Sequence, residues 1–462
     1  MINLFEYQNK VKAENTFEGL EEFLDDIWKN REKSSYFTSD QENFVESQRF
    51  LQFLHKTKEL KSNKYVGVIR FEGQHINLLP KIFYDSNREY HATDIYQMQN
   101  HILWWLSYCR KIKFPNYQTS MGSLKSDFFE ILIYLFSKYT RQLLSNSIYQ
   151  QYEEVSKELP FIKGRLNTNA YINENLSTGK WHQLNCIYDA FVFDNKFNRI
   201  IKYVVNLLFN VTTSQDNKKQ LREILFILDE VSDVRATAEE VASIQFNPMF
   251  GEFETVRDYC HLFLSNSISF NYKNDLKLFA FLLPMEYVFE DFIFGFIEKE
   301  IEEVNAKAQI GSTYLDTEEN FALRPDLMLK MAHKTIIADT KYKIVYSDDK
   351  DPKKGISQTD LYQMLAYAVR FKIDEIILFY PNTINNYQED VSKIKIEDAL
   401  ADNKEIQINS FQLPVLNKEL LTNSFNPNFD LNAMFESTKI ELIEKLTNIL
   451  IPEYEIPFKN IR

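Results

Sequence analysis

The sequence predicts a mixed α/β protein in which a β-rich and helical N-terminal region precedes a C-terminal domain with a central mixed sheet flanked by helices. Two observations lead to this prediction. Between residues 321 and 380, two short strand-forming runs, an amphipathic helix and an apolar strand follow one another, which is typical of an α/β core. Between Lys64 and Ile82, two runs of β composition meet at Glu72 and Gly73, a pair that favours a hairpin turn.

The chain is long enough for several cores. Its 462 residues, 44% of them apolar, predict two or three domains. We expect a β-rich region over 1–90, a mainly helical middle region with a linking β segment over 91–272, and the C-terminal domain over 273–462. The last boundary is set near residues 271–275, where a polar stretch precedes a long helical pattern.

The spacing of the cysteines and the length of the apolar runs limit the class of protein. The three cysteines, Cys109, Cys186 and Cys260, are far apart, so neither a disulfide framework nor a Cys-x-x-Cys zinc site is expected. The N-terminus has no signal-peptide pattern, and no apolar run approaches the roughly 18 residues of a membrane span. We therefore expect a cytoplasmic protein without a membrane segment.

The candidate site lies in a second predicted hairpin. Strand-forming runs at 327–331 and 335–338 flank a polar break at 332–334. A turn centred on this break sets Asp326 opposite Asp339, so that two carboxylates can share one ion.

The residue types at this hairpin fit metal chemistry. Side chains alternate along a strand, so Asp339 and Lys341 share a face while Thr340 points away. Mg²⁺ prefers a few carboxylate and carbonyl oxygens, which Asp326, Asp339 and the backbone carbonyl of Thr340 provide. A bound metal lowers the pKa of a water molecule and offsets charge on phosphorus. Lys341 then positions or deprotonates the attacking water.

A surface hairpin with a solvated ion pair explains the same spacing. In a chain of this composition, an acid followed some thirteen residues later by acid-x-Lys occurs on the order of once by chance. The apolar run 336–338 ahead of Asp339 favours the site, because a strand apolar on both faces is buried. Buried acids in turn need a cation.

The sequence RPD at 324–326 followed by DTK at 339–341 resembles the PD-(D/E)xK nuclease signature, with Asp in the middle acidic position. The surrounding segments, LRPDLMLK, ADTKYK and DLYQMLAYA, are similar to McrC, the nuclease subunit of McrBC-type modification-dependent restriction systems. This resemblance implies a PD-(D/E)xK fold for the C-terminal domain and Mg²⁺-dependent DNA cleavage. Its catalytic residues would be Asp326, Asp339 and Lys341.

Other segments resemble the same family. VGVIRF and LLPKI, within Lys64 to Ile82, are similar to its N-terminal region, and KGRL at 163–166 to a linking segment. The resemblance implies that the hairpin at 64–82 belongs to a stalk that docks on a hexameric ring of McrB, an AAA+ GTPase, and stimulates its hydrolysis. Without the resemblance, the residues favour a β-meander in a small core.

Further site residues follow from the resemblance. Such nucleases commonly supply another Glu from the helix before the hairpin, and Glu290, one turn after Glu286, matches this position; a surface carboxylate is the alternative. Gln363 and Tyr367 resemble the Gln-x-x-x-Tyr motif of the RecB-like branch, which faces DNA beside the metal. Packing of that helix on the sheet is the alternative.

The charge of the chain bears on its partners. A net charge of −13 disfavours binding of DNA unaided, since Lys and Arg supply most non-specific affinity. Residues 324–354 reverse the balance, with eight Lys or Arg against five Asp, although a solvated loop at 347–354 explains part of this. No P-loop pattern occurs, so any nucleotide hydrolysis belongs to a partner, which by the resemblance uses GTP. The expected cofactor of this chain is Mg²⁺, from the carboxylates of the candidate site.

Together these observations predict a DNA endonuclease subunit that docks on a McrB-like GTPase recognising modified DNA. By analogy, two nuclease domains would pair in a homodimer to cut both strands of double-stranded DNA. Two alternatives stay open: a stand-alone RecB-like repair nuclease, and a non-catalytic adaptor that activates the GTPase. Retention of Asp326, Asp339 and Lys341 argues against a decayed site.

Overall fold

The structure is a computed structural model that describes residues 2–13, 19–22, 24–25, 50–71, 74–110, 128–265, 271–273, 276–308, 313–331, 334–345, 353, 356–385, 392–398, 404–417 and 431–452. The chain forms two compact units. The first combines Met1–Ile131 with Asn266–Arg462, and the second is Leu132–Ser265.

The strands of the described residues are β1 (Ile2–Phe5), β2 (Lys10–Lys12), β3 (Leu51–Leu54), β4 (Glu59–Ser62), β5 (Tyr65–Phe71), β6 (Gln74–Leu79), β7 (Gln151–Leu159), β8 (Arg165–Leu166), β9 (Leu184–Val192), β10 (Asn271–Lys273), β11 (Leu276–Pro284), β12 (Asn305–Ala308), β13 (Thr313–Tyr314), β14 (Ala322–Leu323), β15 (Leu327–Lys330), β16 (Thr335–Thr340), β17 (Glu375–Pro381), β18 (Ser392–Asp398) and β19 (Lys404–Leu413). The longer helices are α1 (Ala92–Tyr108), α2 (Phe128–Asn146), α3 (Lys196–Val211), α4 (Gln215–Ile227), α5 (Ala238–Ala242), α6 (Phe253–Ser265), α7 (Met285–Glu300), α8 (Gln358–Phe371) and α9 (Leu431–Leu450).

A five-stranded sheet of order β1-β6-β5-β11-β10 belongs to the first unit. β1 runs parallel to β6, and the other pairs are antiparallel. The predicted hairpin at 64–82 is present as β5 and β6, with its turn residues Glu72 and Gly73 outside the described residues. All seven residues of β5 are buried. Both strands of this hairpin therefore lie in the interior of a sheet.

The partner of β5 comes from a distant part of the sequence. β11 pairs with β5 from Phe279↔Arg70 to Pro284↔Tyr65. The first and last of the three regions expected from sequence thus share one sheet, and the observed division into two units differs from three consecutive regions.

One face of this sheet covers a core to which the N-terminal residues contribute. Residues 19–22 and 24–25 are helical. Leu20 and Leu24 are buried and belong to the same hydrophobic core as Ile69 and Leu78 of the sheet.

A six-stranded mixed sheet of order β12-β15-β16-β17-β19-β18 forms the other large element of the first unit. The β16–β17 and β17–β19 pairs are parallel, and the remaining pairs are antiparallel. Helix α8 connects β16 to β17 in sequence and packs on β17 and β19, while α7 packs on β11, β12 and β16. The prediction of a mixed α/β protein with a central mixed sheet flanked by helices is confirmed.

The second unit contains α3 to α6 and an antiparallel sheet of order β7-β9-β8. Asn195 caps α3 by accepting a hydrogen bond from the backbone N–H of Asn198 at 3.0 Å. Asp194 and Arg199 form an ion pair of 2.7 Å beside the cap. These two contacts brace the start of the helix.

Two further findings concern the class of protein. The three cysteines are buried. No helix within the described residues is long and apolar enough to cross a lipid bilayer.

Candidate functional site

The candidate site lies at the open end of the β15–β16 hairpin. Its antiparallel register pairs Leu327 with Ala338. Continued by one residue, this register sets Asp326 opposite Asp339, which is the pairing that the sequence predicts. The turn at 332–333 lies outside the described residues.

Thr340 holds Asp326 in place. The backbone N–H of Thr340 donates to Asp326 Oδ2 at 2.8 Å, and the Thr340 hydroxyl donates to the same oxygen at 2.9 Å. From sequence we expect only the backbone carbonyl of Thr340 at the site, so the contact of its side chain is new. The two bonds fix the Asp326 carboxylate at the end of the hairpin.

Asp339 is fully buried and forms an ion pair with the Lys341 ammonium. Within the described part of the chain, neither of its carboxylate oxygens accepts a hydrogen bond of ordinary distance and angle. The Lys341 ammonium and the backbone N–H of Asp326 stabilise its charge electrostatically. A buried carboxylate with so little hydrogen bonding is unusual for a purely structural group.

Burial dominates the ionisation of the site. It raises the pKa of Asp326 well above the usual range, and the charges of Asp339 and Glu290 raise it further. It also raises the pKa of Asp339, although the Lys341 ammonium opposes the rise. Burial lowers the pKa of Lys341, but the charges of Asp339 and Asp326 outweigh this and raise it to about 12. Negative charge is thus concentrated where little solvent screens it, which favours a cation.

Gln363 and Tyr367 of α8 adjoin the lysine. Lys341 Nζ donates to Gln363 Oε1 at 3.3 Å, and Gln363 Nε2 donates to the Tyr367 hydroxyl at 2.8 Å. The buried Tyr367 hydroxyl donates to the carbonyl of Arg324 at 3.0 Å. Gln363 is therefore placed to orient Lys341, while Tyr367 fixes the chain before Asp326. A DNA-facing role for both residues stays a prediction.

The two glutamates of α7 face different groups. The charge of Glu290 acts on Asp326. The charge of Glu286 acts instead on Glu6 and Tyr342. No group of three or more His, Cys, Asp or Glu side chains among the described residues has the geometry of a metal site. Glu290 thus lies near the site without completing a three-carboxylate set.

The donor set suits a hard divalent ion. Mg²⁺ binds oxygen and usually keeps several water molecules, so it needs only one or two protein carboxylates. Asp326 and Asp339 provide them, and a cation can share the Asp339 carboxylate with the Lys341 ammonium. The residues present therefore fit Mg²⁺ better than a softer metal, which would seek sulfur or imidazole.

A second ion pair beside the site was not expected from sequence. Lys343 Nζ contacts the carboxylate of Asp360 at 2.7 and 3.0 Å, and Asp360 is buried. The charge of Asp360 acts on Asp339 and Lys341. The helix-capping spacing of Ser357 and Asp360 is the only local signal that marks this carboxylate.

These features define a mixed α/β protein whose central sheet carries two opposed carboxylates, one buried and one half-buried, and a lysine at the end of one hairpin. The family of the McrBC 5-methylcytosine restriction system component matches residues 60–381, more than half of the chain. The chain belongs to this family, and the resemblance to McrC found in the sequence is confirmed.

A solved structure shows a similar fold. A chain of the refined half-complex from a tetradecameric assembly of Thermococcus gammatolerans McrB AAA+ hexamers with bound McrC matches with a TM-score of 0.62 and 17% identity, over 97% of this chain and 100% of that chain. A chain of the Thermococcus gammatolerans McrBC complex matches with a TM-score of 0.48 and 19% identity, over 64% of this chain and 87% of that chain. No curated protein matches.

Proposed function

We propose that this chain is the nuclease subunit of a McrBC-type restriction system and that its six-stranded sheet is a PD-(D/E)xK domain cleaving DNA with Mg²⁺. The observation that carries the proposal is the Asp326–Asp339 pair beside Lys341. A pair of opposed carboxylates, one buried and one half-buried and both with raised pKa values, is costly to a fold. Such a cost is consistent with a site kept for chemistry.

Asp326 and Asp339 would hold the ion, together with the backbone carbonyl of Thr340. When bound, Mg²⁺ supplies a Lewis acid that activates water and offsets charge on the scissile phosphate. The bonds from Thr340 keep Asp326 in place for this task.

Lys341 would act as a donor toward the attacking water and the phosphate. Its contacts with Asp339 and Gln363 are those of an ammonium donating to oxygen. A charged ammonium stabilises the negative charge that develops during phosphodiester hydrolysis. Gln363 would keep Lys341 oriented while substrate replaces part of its present contacts.

The partner in this proposal is a McrB-like AAA+ GTPase hexamer, because the similar chain comes from an assembly of McrB hexamers with bound McrC. The hairpin at 64–82 is a poor docking surface, since its first strand is wholly buried. Exposed aromatic side chains occur instead in the second unit, where Tyr152 is 74% and Trp181 69% exposed. Large exposed apolar groups are typical of interaction sites.

We therefore propose that the β7–β9 hairpin docks on the GTPase. Tyr152 and Phe191 are paired across the two strands, with ring centroids 5.0 Å apart. Trp181→Ala and Tyr152→Ala should each weaken complex formation, because exposed aromatics are frequent hot spots. Phe226→Ala, which removes another exposed aromatic of the second unit from a different element, is the control.

The test of the whole proposal is plasmid cleavage with Mg²⁺ by the purified chain, alone and with a McrB-like GTPase and GTP. Asp339→Ala is the inactive variant, and Asp216→Ala, an exposed helix-start carboxylate of the second unit, is its matched control. Cleavage in the complete mixture that only Asp339→Ala abolishes supports the proposal.

Two other outcomes would replace it. Cleavage without the GTPase points to a stand-alone nuclease. Stimulated GTP hydrolysis with intact DNA points to an adaptor. Homodimerisation stays a prediction, which the mass of the DNA-bound complex tests.

A further inference from the structure

Tyr342 connects the candidate site to the N-terminal sheet. It follows Lys341, so by alternation its side chain leaves the backbone on the opposite face. It is buried, and its hydroxyl donates to Glu6 Oε2 at 3.0 Å. Glu6 comes directly after β1 and is itself buried, although the two residues are separated by most of the chain.

Neighbouring groups enclose this bond. Glu6 Oε2 also accepts the backbone N–H of Lys81 at 3.1 Å. The Lys81 ammonium lies 4.5 Å from the centroid of the Tyr342 ring, and the Phe289 ring of α7 lies 5.8 Å from it. Phe289 precedes Glu290, so the same pocket also fixes the helix that approaches Asp326.

The chain beyond β16 has few other supports on this face. The N–H of Lys341 donates to the carbonyl of Phe379 at 2.8 Å, and the N–H of Lys343 donates back to the carbonyl of Lys341 at 2.8 Å. β17 ends at Pro381, which has no N–H to continue the pairing. The side chain of Tyr342 is thus the anchor of a segment whose backbone ladder is ending.

We propose that Tyr342 and Glu6 are a positioning pair: their hydrogen bond holds the end of β16 so that Lys341 stays beside Asp339. Neither residue touches substrate or metal in this proposal. The kinetic part of the test rests on the nuclease function proposed above, whereas a second readout on Lys341 does not.

The kinetic test uses Tyr342→Phe, Glu6→Ala and the double variant, each assembled with the GTPase, GTP and Mg²⁺. Loss of one hydrogen bond should lower kcat roughly three- to tenfold with KM for DNA unchanged. The double variant should lose no more than the larger single effect, because both changes break the same bond. Glu6→Gln, which keeps an acceptor oxygen, should retain most of the activity.

Tyr90→Phe is the matched control. The hydroxyl of Tyr90 also makes a hydrogen bond within the first unit, donating to the carbonyl of Phe83 at 2.8 Å. Among the described residues, it makes no hydrogen bond to β16. This variant should keep the kcat of the unaltered protein even if its thermal stability falls.

The second readout is amine acylation of the metal-free chain, followed residue by residue by mass spectrometry. Lys341 is 17% exposed and Lys343 49%, so Lys341 should react more slowly in the unaltered protein. In Tyr342→Phe and Glu6→Ala its rate should rise toward that of Lys343. If Lys341 reacts at the same rate in both folded variants and in the unaltered protein, the proposed positioning role is wrong, whatever the melting temperatures are.

The two failures are distinguishable. If the unaltered protein does not cleave DNA with its partner, the proposed nuclease function fails and acylation still decides the pair. If it does cleave, and both variants match it in kcat and in Lys341 reactivity, only the positioning pair fails.

Discussion

Two buried ion pairs in the first unit have opposite characters. Arg70 of β5 contacts Glu130 of α2 at 3.1 Å through a hydrogen bond, and both side chains are buried. Lys341 forms an ion pair with Asp339, and a second carboxylate, Asp326, lies opposite. The first pair balances one positive charge against one negative charge, while the second carries an excess of negative charge.

The difference teaches how to separate a structural from a functional buried charge. A structural pair satisfies its own charges and joins two elements, here a strand and the first turn of a helix, where a carboxylate is also favoured by the helix dipole. A functional cluster of charged side chains keeps an excess charge, which a bound ligand then neutralises. The two kinds of pair should therefore respond oppositely to removal of their carboxylates.

The largest expected effect is on cleavage by Asp339→Asn. Loss of one metal-binding carboxylate should reduce kcat by more than about 10³-fold, since the metal supplies several kcal/mol of transition-state stabilisation. The same change should leave the free energy of unfolding unchanged or higher, because it removes a poorly satisfied buried charge. Denaturant unfolding without metal, alongside the plasmid assay, measures both. A large loss of stability would assign Asp339 to the structural class.

The second effect is on stability, from Glu130→Ala. Removing one partner of a complete buried pair should cost about 3–5 kcal/mol of unfolding free energy, because Arg70 is left with an uncompensated charge. The change should not alter kcat per folded molecule. Combining it with Arg70→Met should recover much of the stability, and failure of this double variant to do so would contradict the contrast.

Glu6 lies between the two cases and predicts a pH dependence. It accepts two hydrogen bonds. Burial nevertheless raises its pKa to about 7; Lys81 and Tyr342 oppose the rise, and the charge of Glu286 adds to it. Tyr7 also faces Glu6. Because the folded-state pKa exceeds the unfolded value, the folded chain binds the extra proton. The resulting stability is present below the unfolded pKa and is lost as the pH rises through about 7.

The measurement compares Glu6→Gln with the unaltered protein by urea unfolding from pH 5 to pH 8. Each unit of pKa shift corresponds to about 1.4 kcal/mol, so the unaltered protein should lose on the order of 3 kcal/mol relative to the variant over this range. Parallel curves for the two proteins would show that Glu6 does not titrate as a buried acid.

The sequence alone predicts the site well where short-range rules apply. The symmetry of the hairpin and the two-residue period of a strand are enough to set Asp326 opposite Asp339 and to put Asp339 with Lys341. Apolar residues on both faces of β16 indicate that the acids are buried. All of these signals lie within about one hairpin, which is why they can be read without the fold.

Long-range pairing is what the sequence does not reveal. Nothing near β5 indicates that β11, which follows the second unit in the sequence, will cover its edge and bury it. The bond between Tyr342 and Glu6 and the contact of the Thr340 hydroxyl depend likewise on tertiary packing and side-chain rotamers. For the same reason the resemblance, which assigns docking to 64–82, does not indicate the exposed aromatic groups of the second unit.

The smallest effect expected is stabilisation by Mg²⁺, and it sharpens the contrast between the pairs. Burial raises the pKa values of Asp326 and Asp339, so a proton must leave before an ion binds, and affinity should increase with pH. At a concentration of about ten times Kd, Mg²⁺ should add about 1.4 kcal/mol to the free energy of unfolding, and less at lower pH. Asp339→Asn should abolish this increment, whereas Glu130→Ala should lower stability but retain it. Thermal unfolding of the three proteins with and without Mg²⁺ at pH 6 and pH 8 measures these increments. An equal increment in all three would show that Asp339 does not bind the metal.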